Sequence, residues 1–220
     1  MAVLEHPHWE AIDQPLKEVL DIIGQQPFAR RIYLAGGTAL ALQIGHRRSA
    51  DLDFFSSEDE FLDPSRREIV SALNRVSRVE TREDTIGNLL LYVNGVSTGF
   101  FGYGYPLLGE VQLPITIRLA SVEDIGLMKL DAIITRGARK DFIDLFCIER
   151  HRPLDDLIEL WPVKFPRLQS FEMMLLEGLT NHDNAERDTM PEMLIPLEWG
   201  EVKAAMLAEA RRLGARWFGV

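Results

Sequence analysis

Leu34-Ala-Gly-Gly-Thr-Ala-Leu-Ala-Leu-Gln-Ile-Gly-His-Arg-Arg-Ser-Ala-Asp-Leu-Asp-Phe-Phe55 is the stretch on which the fold turns. Arg31-Ile-Tyr-Leu34 is rich in β-formers and runs into the pair Gly36-Gly37. Thr38 to Ile44 is a short apolar run of good helix formers, and the polar loop Gly45-His-Arg-Arg-Ser49 parts it from Asp51-Leu-Asp-Phe-Phe55. Side chains alternate along a strand, so this spacing predicts Asp51 and Asp53 on one face and Leu52 and Phe54 in the core. Two carboxylates beside a glycine turn that opens a helix have a chemical use. The first N–H groups of a helix and the positive end of its dipole suit a phosphate. The carboxylates are hard oxygen ligands for Mg²⁺, which keeps its other positions for water and substrate phosphate. A calcium loop does not fit, because Leu52, Phe54 and Phe55 stand where such a loop is polar and its sixth position lacks Gly. Taken singly, the glycine pair reads as an ordinary turn and the acids as a solvated edge.

Gly-Gly, thirteen residues and Asp-x-Asp together resemble the signature of the nucleotidyltransferase superfamily, the polymerase-β-like fold. The longer string Gly-Gly-Thr-Ala-Leu…Gly-His-Arg-Arg-Ser-x-Asp-Leu-Asp-Phe-Phe is similar to one branch, the abortive-infection AbiEii/AbiGii toxins. A second match lies far downstream. Asp124-Ile-Gly-Leu-Met-Lys-Leu-Asp-Ala-Ile-Ile-Thr-Arg-Gly-Ala-Arg-Lys-Asp-Phe-Ile-Asp144 resembles the family's later motif, a helix with Lys followed by Arg-Gly and Lys/Arg-Asp-x-x-Asp. The resemblance implies an enzyme that moves a nucleoside monophosphate from an NTP to an acceptor hydroxyl with Mg²⁺ (or Mn²⁺) and releases pyrophosphate. It implies RNA as acceptor, with the 3′ end of tRNA as the candidate, and a cognate antitoxin as partner. By the same resemblance Asp51 and Asp53 are metal ligands and catalytic, and Gly36, Gly37, Thr38, Arg48 and Ser49 hold the nucleotide. The family's lysine falls on Lys129 and its later acid on Asp141 or Asp144, with Asp144 taken as catalytic and Asp141 as a nucleotide contact.

One departure stands out. Such enzymes often carry a third carboxylate on a neighbouring strand, and the candidate here, Val96-Ser-Thr-Gly-Phe-Phe101, has no acid. A site in which two metals share carboxylates and phosphates wants that ligand. Glu110, Asp141, Asp144 and Asp183 are the acids left to supply it. Two other functions stay open: transfer to a small molecule or protein, and a fold that binds nucleotide or a partner without catalysis.

The chain has 220 residues, enough for one large domain or two small ones. The net charge is −10, from 24 basic against 34 acidic residues, so the overall field does not steer the protein to nucleic acid. RNA contact requires a local patch, and His46-Arg47-Arg48 and Arg136-Gly-Ala-Arg139-Lys140 are the candidates. His46 is also a possible general base, although a lone loop histidine is more often not one. Cys147 is the sole cysteine, no apolar run has the length of a membrane span, and the N-terminus lacks a signal-peptide layout, which together point to the cytoplasm.

In chain order, residues 9–24 read as a helix with Ile12, Leu16, Val19, Leu20 and Ile23 on one stripe. Asp63-Pro64 reads as N-cap and first turn of another helix, to about Val76. Residues 77–83 suit a strand, and Asn94-Gly95 between two β-rich runs over 88–101 suits a hairpin with a type I′ turn. Leu113–Leu119 suits one short strand. From Ser121 the pattern is helical: 121–136, 139–151, 154–161, 169–179 and 198–213, with an acidic loop at 183–188 more suited to flanking a helix than to holding a metal. The expected fold is α+β, a nucleotidyltransferase-like mixed sheet flanked by helices over 1–120, followed by a helical region over 121–220 packed on it.

Overall fold

A computed structural model describes residues 2–166 and 170–219. The chain divides into two compact units, Met1–Ser121 and Val122–Val220.

The first unit is built on a mixed eight-stranded sheet. Its strands are β1 (Ala2–Val3), β2 (Tyr33–Ala35), β3 (Asp51–Ser56), β4 (Val79–Thr85), β5 (Asn88–Val93), β6 (Val96–Gly102), β7 (Glu110–Gln112) and β8 (Arg118–Ala120), in the order β1-β7-β8-β2-β3-β6-β5-β4. β3 sits near the middle, antiparallel to β2 and parallel to β6. Its alternation is as the sequence predicts: Leu52 and Phe54 are fully buried, Asp51 is exposed and Asp53 half-buried. On the buried face Phe54 stacks on Phe100 of β6 at 5.4 Å, and Phe28 meets the Phe100 ring edge-on at 6.0 Å. Helix α1 (Gln14–Gly24) packs on β3 and β6 there, burying Leu16, Val19, Leu20 and Ile23. Each such side chain contributes about 1.5–3 kcal/mol of transfer free energy, so the stripe holds the sheet's inner face dry. Asp13 caps α1 by accepting from the Leu16 N–H at 2.9 Å. Residues 9–11, read as part of that helix, form a separate 3₁₀ turn.

β5 and β6 form the expected hairpin, with Asn94 and Gly95 both at positive φ, 49° and 87°. Two expectations need correction. Leu113–Leu119 is not one strand: it holds the turn between β7 and β8, closed by the Leu113 N–H on the Ile117 carbonyl at 2.8 Å with Thr116 at φ 63°. Pro114 has no N–H for a ladder, so the run folds back instead of extending. Helix α3 (Asp63–Asn74) begins at Asp63, so Leu62 holds the N-cap position without a side-chain bond and Asp63 instead pairs with Arg67 one turn on.

The second unit is helical: α4 (Val122–Thr135), α5 (Arg139–Glu149), α6 (Leu154–Lys164), α7 (Phe171–Thr180) and α8 (Trp199–Phe218). α4 packs against α5, α6 and α7, and α8 against α5 and α7. Gln169, expected to start the fourth of these helices, lies outside the described residues. The acidic loop is structural. Asp188 accepts from the Arg139 N–H at 2.9 Å, and Glu186 accepts from Trp199 Nε1 at 3.2 Å and from Lys203 at 2.6 Å. Among the described residues no helix is long and apolar enough to cross a membrane.

Candidate active site

The glycine turn is shaped by what touches it. Gly36 has φ +66°, and a Cβ there would lie 3.1 Å from Asp53 Oδ2. A Cβ on Gly37 would fall 2.4 Å from an Nη atom of Arg47. Both positions therefore need glycine, the first for its backbone and its closeness to a carboxylate, the second to admit a guanidinium. Helix α2 (Gly36–Ile44) starts at this turn, and Ala35 gives it no side-chain cap. A helix start without a cap leaves backbone N–H groups for another acceptor.

Thr38 ties this helix to the carboxylate strand. Its hydroxyl is buried, shares a 2.8 Å hydrogen bond with the Ser49 hydroxyl and donates to the Asp51 carbonyl. Ser49 therefore braces the turn through Thr38. Ala35 pairs with Asp53 across β2 and β3, so carboxylate, turn and helix start are fixed by one ladder. Gly36, Gly37, Thr38, Ser49, Asp51 and Asp53 are thus brought together as the sequence suggests.

The basic loop is another matter. His46 is 1% exposed and Arg47 4%, so neither stands in solvent as an RNA contact or a loop general base. Arg47 donates to the Arg48 carbonyl at 3.0 Å and lies against Gly37. Arg48 alone of the three is exposed. The burial comes from the missing side chain at Gly37, ten residues upstream, which charge patterning does not reveal.

The register fixes the neighbourhood of the acids. Asp51 pairs with Ser97 and Asp53 with Gly99 on β6, so the adjacent strand offers no carboxylate on that face. Among the described residues no three His, Cys, Asp or Glu side chains are grouped to hold a metal. Two carboxylates on one face still suit Mg²⁺, which commonly takes one or two such ligands and leaves the rest to water and substrate phosphate.

Lys129, Asp141 and Asp144 belong to the helical unit. Lys129 Nζ lies 2.9 Å from Asp141 Oδ1 and 2.6 Å from Asp144 Oδ2. Both acids are fully buried and Lys129 is 4% exposed, so these are interior ion pairs, not the surface bridges that spacing alone suggests. Arg136 grips Asp141 with two bonds, 2.8 and 2.9 Å. Burial by itself would raise the Asp141 carboxyl, but Arg136 and Lys129 outweigh it and hold it below the usual carboxylate range. The second basic patch is likewise engaged, since Arg136 is on Asp141 while Arg139 donates to the Ala185 carbonyl at 2.9 Å and lies over the Trp199 ring. Sequence reading missed a further buried pair, Asp124 with Lys164, both fully buried. Asp124 reads as a solvated first-turn acid, and its partner is forty residues away. Burial pulls the Lys164 ammonium down, against the attraction of Asp124.

A family model described as "Nucleotidyl transferase AbiEii toxin, Type IV TA system" matches residues 18–97 and 100–217. An uncharacterized protein of Aquifex aeolicus (strain VF5) is 32% identical over 190 residues, 85% of this chain and 90% of that one. Among solved structures, JHP933 from Helicobacter pylori superposes with a TM-score of 0.56 at 17% identity, covering 98% of this chain and 94% of the other. A candidate nucleotidyltransferase from H. pylori gives 0.54 at 19% identity, covering 91% and 93%. These two likenesses show the fold alone, a mixed sheet with flanking and C-terminal helices. By the extent of the family match, the chain belongs to the AbiEii nucleotidyltransferase toxin family.

Proposed function

We propose that the protein transfers a nucleoside monophosphate from an NTP to an acceptor hydroxyl, acting as the toxin of a toxin–antitoxin pair. The observation that carries this is the carboxylate pair Asp51 and Asp53 on one face of β3, with Asp53 against the glycine turn that opens the uncapped helix α2. In this reading the N–H groups of the first turn of α2 bind the phosphates leaving as pyrophosphate. Asp51 and Asp53 hold Mg²⁺ or Mn²⁺, which when bound neutralises phosphate charge. The acceptor oxygen forms a bond to the α-phosphorus as the bond to the bridging oxygen of the β-phosphate breaks, and the hydroxyl proton passes to water. Thr38 and Ser49 keep the turn and the strand in register. Little covalent chemistry is asked of the protein, so positioning and charge account for most of the rate.

Family membership favours RNA as acceptor, with the tRNA 3′ end first to be tried, and an antitoxin partner. Arg48 is the exposed cation of the loop that would meet a phosphodiester. The test is incubation with each α-labelled NTP, Mg²⁺ and total RNA. Label should enter RNA with wild type and not with Asp51→Asn/Asp53→Asn, whose thermal midpoint should stay near wild type because neither carboxylate lies in the core. A collapse of stability in that variant, or transfer retained by it, overturns the assignment. The lack of a third acid on β6 favours a nucleotide-binding fold without catalysis as the second reading, and nucleotide binding with no transfer to any acceptor would decide for it.

A further inference from the structure

The sheet face that carries Asp53 also carries a cavity. Register places Tyr33 beside Phe55, and Ala35 beside Asp53, on that face. β8 runs parallel to β2 with Leu119 opposite Leu34, which sets Arg118 on the same side as Tyr33. Here a cavity of about 520 Å³ opens in the first unit, lined among others by Arg31, Tyr33, Glu58, Leu108, Glu110 and Arg118. Its floor continues into aromatic rings: Tyr33 stacks on Phe55 at 6.1 Å, and Phe55 meets Phe101 at 5.1 Å and Tyr103 at 5.2 Å. Phe55, Phe101 and Tyr103 are each half-buried.

The cavity is charge-balanced. Arg31 is paired with Asp59 at 3.3 Å and Glu68 at 2.6 Å, and Arg118 with Glu110 at 3.1 Å. It therefore prefers neither a polyanion nor a polycation. Arg118 donates through Nη2 to the Arg30 and Ile32 carbonyls, and its Nε is buried without an acceptor among the described residues. Volume in the small-ligand range, half-exposed aromatic rings, and donors and acceptors side by side suit a neutral flat heterocycle.

Position says which heterocycle. Tyr33 and Ala35 are two strand residues apart, about 7 Å. Along the chain the order is the cavity residues Arg31, just before β2, and Tyr33, then Ala35 with Asp53, then the glycine turn. In-line transfer sets attacking oxygen, phosphorus and leaving group in a row. If pyrophosphate leaves on the side of the glycine turn, the attacking hydroxyl comes from the side of the cavity.

We infer that this cavity seats the nucleobase of the acceptor's terminal nucleoside, whose ribose hydroxyl then faces Asp53. The inference rests on the transfer reading above. Its test is Glu58→Gln/Glu110→Gln with, separately, Arg118→Gln, each assayed for NTP binding by thermal shift with Mg²⁺ and for transfer to an RNA oligonucleotide. All should keep wild-type NTP shifts, while the acceptor KM rises about tenfold at nearly unchanged kcat. Oligonucleotides differing only in the terminal base should be ranked by wild type, and that ranking should flatten in the variants. NTP shifts lost along with transfer would mean that the cavity seats the NTP base, and an unchanged acceptor KM that it is not used; either overturns the inference while leaving the transfer reading intact. If wild type transfers to no acceptor, the transfer reading itself fails, and the inference with it.

Discussion

Lys129→Met tests whether the buried network in the helical unit is chiefly structural. The ammonium lies 2.9 Å from Asp141 and 2.6 Å from Asp144, both fully buried, with its own side chain 6% exposed. Removing one partner of a buried pair typically costs about 3–5 kcal/mol, because a charge is left in the interior without compensation. Here Asp141 keeps its two bonds from Arg136, so the lower end, about 3 kcal/mol, is expected. For a chain of 220 residues each kcal/mol lowers the midpoint by about 2–4 °C, so the fall should be about 6 °C or more. Urea unfolding followed by circular dichroism reads the difference in free energy and the slope m together. Lys129→Met/Asp144→Leu should recover most of the loss, since replacing a buried pair by apolar groups is often neutral. A loss below about 1 kcal/mol at unchanged m would place the pair in the range of a surface bridge and refute the reasoning. So would a double variant less stable than the single one. The result also bears on function, because lost transfer in a Lys129 variant is informative only at temperatures where that variant is folded.

Gly36→Ala should cost about 1–2 kcal/mol for its left-handed backbone and should also displace Asp53, so nucleotide-dependent thermal stabilisation by Mg²⁺ should fall even where the variant is fully folded. Glu149, pushed up to about 7 by burial and then by Glu209, binds its proton more tightly folded than unfolded. Its contribution is therefore fully present below about pH 4.5 and lost as pH rises through 7, so the urea midpoint should drop between pH 5.5 and 8, by up to about 2 kcal/mol of stability at about 1.4 per pKa unit, and Glu149→Gln should flatten that slope. Ser97 is exposed and pairs with Asp51 in parallel register, at the strand spacing of about 4.8 Å. Ser97→Asp should thus install the missing third acid: Mg²⁺ alone should shift its melting, whereas wild type should need Mg²⁺ and NTP together, and equal behaviour of the two proteins would count against the placement of the metal.

The parts legible in the sequence are those decided within a few residues. Alternation over Asp51–Phe55 is a local property, so the two faces of β3 followed from it, and Asn94-Gly95 announced its hairpin because few residue pairs accept that turn. What stayed hidden was decided by distant partners. β1 is the plain case, a two-residue strand formed on β7 more than a hundred residues on; the run 113–119 is the exception, a local turn closed by Leu113 on Ile117 whose residues, Pro114 apart, carry no turn signature. Arg47 reads as a loop cation able to meet RNA and Lys164 draws no notice, since composition assigns long charged side chains to the surface. One is buried because Gly37 has no side chain, the other because Asp124 waits for it forty residues earlier. The same reasoning separates the acids. Asp51 and Asp53 were predicted from spacing, and they lie on one face of β3 beside the glycine turn. Asp141 and Asp144 also share a face, yet the charge they enclose is Lys129, supplied by the protein. A carboxylate pair whose counter-charge is built in has its ion already. The pair on β3 stands instead beside a glycine turn and a helix start without a side-chain cap, the kind of place where a phosphate and its metal can meet, and that is why the chemistry is assigned to β3.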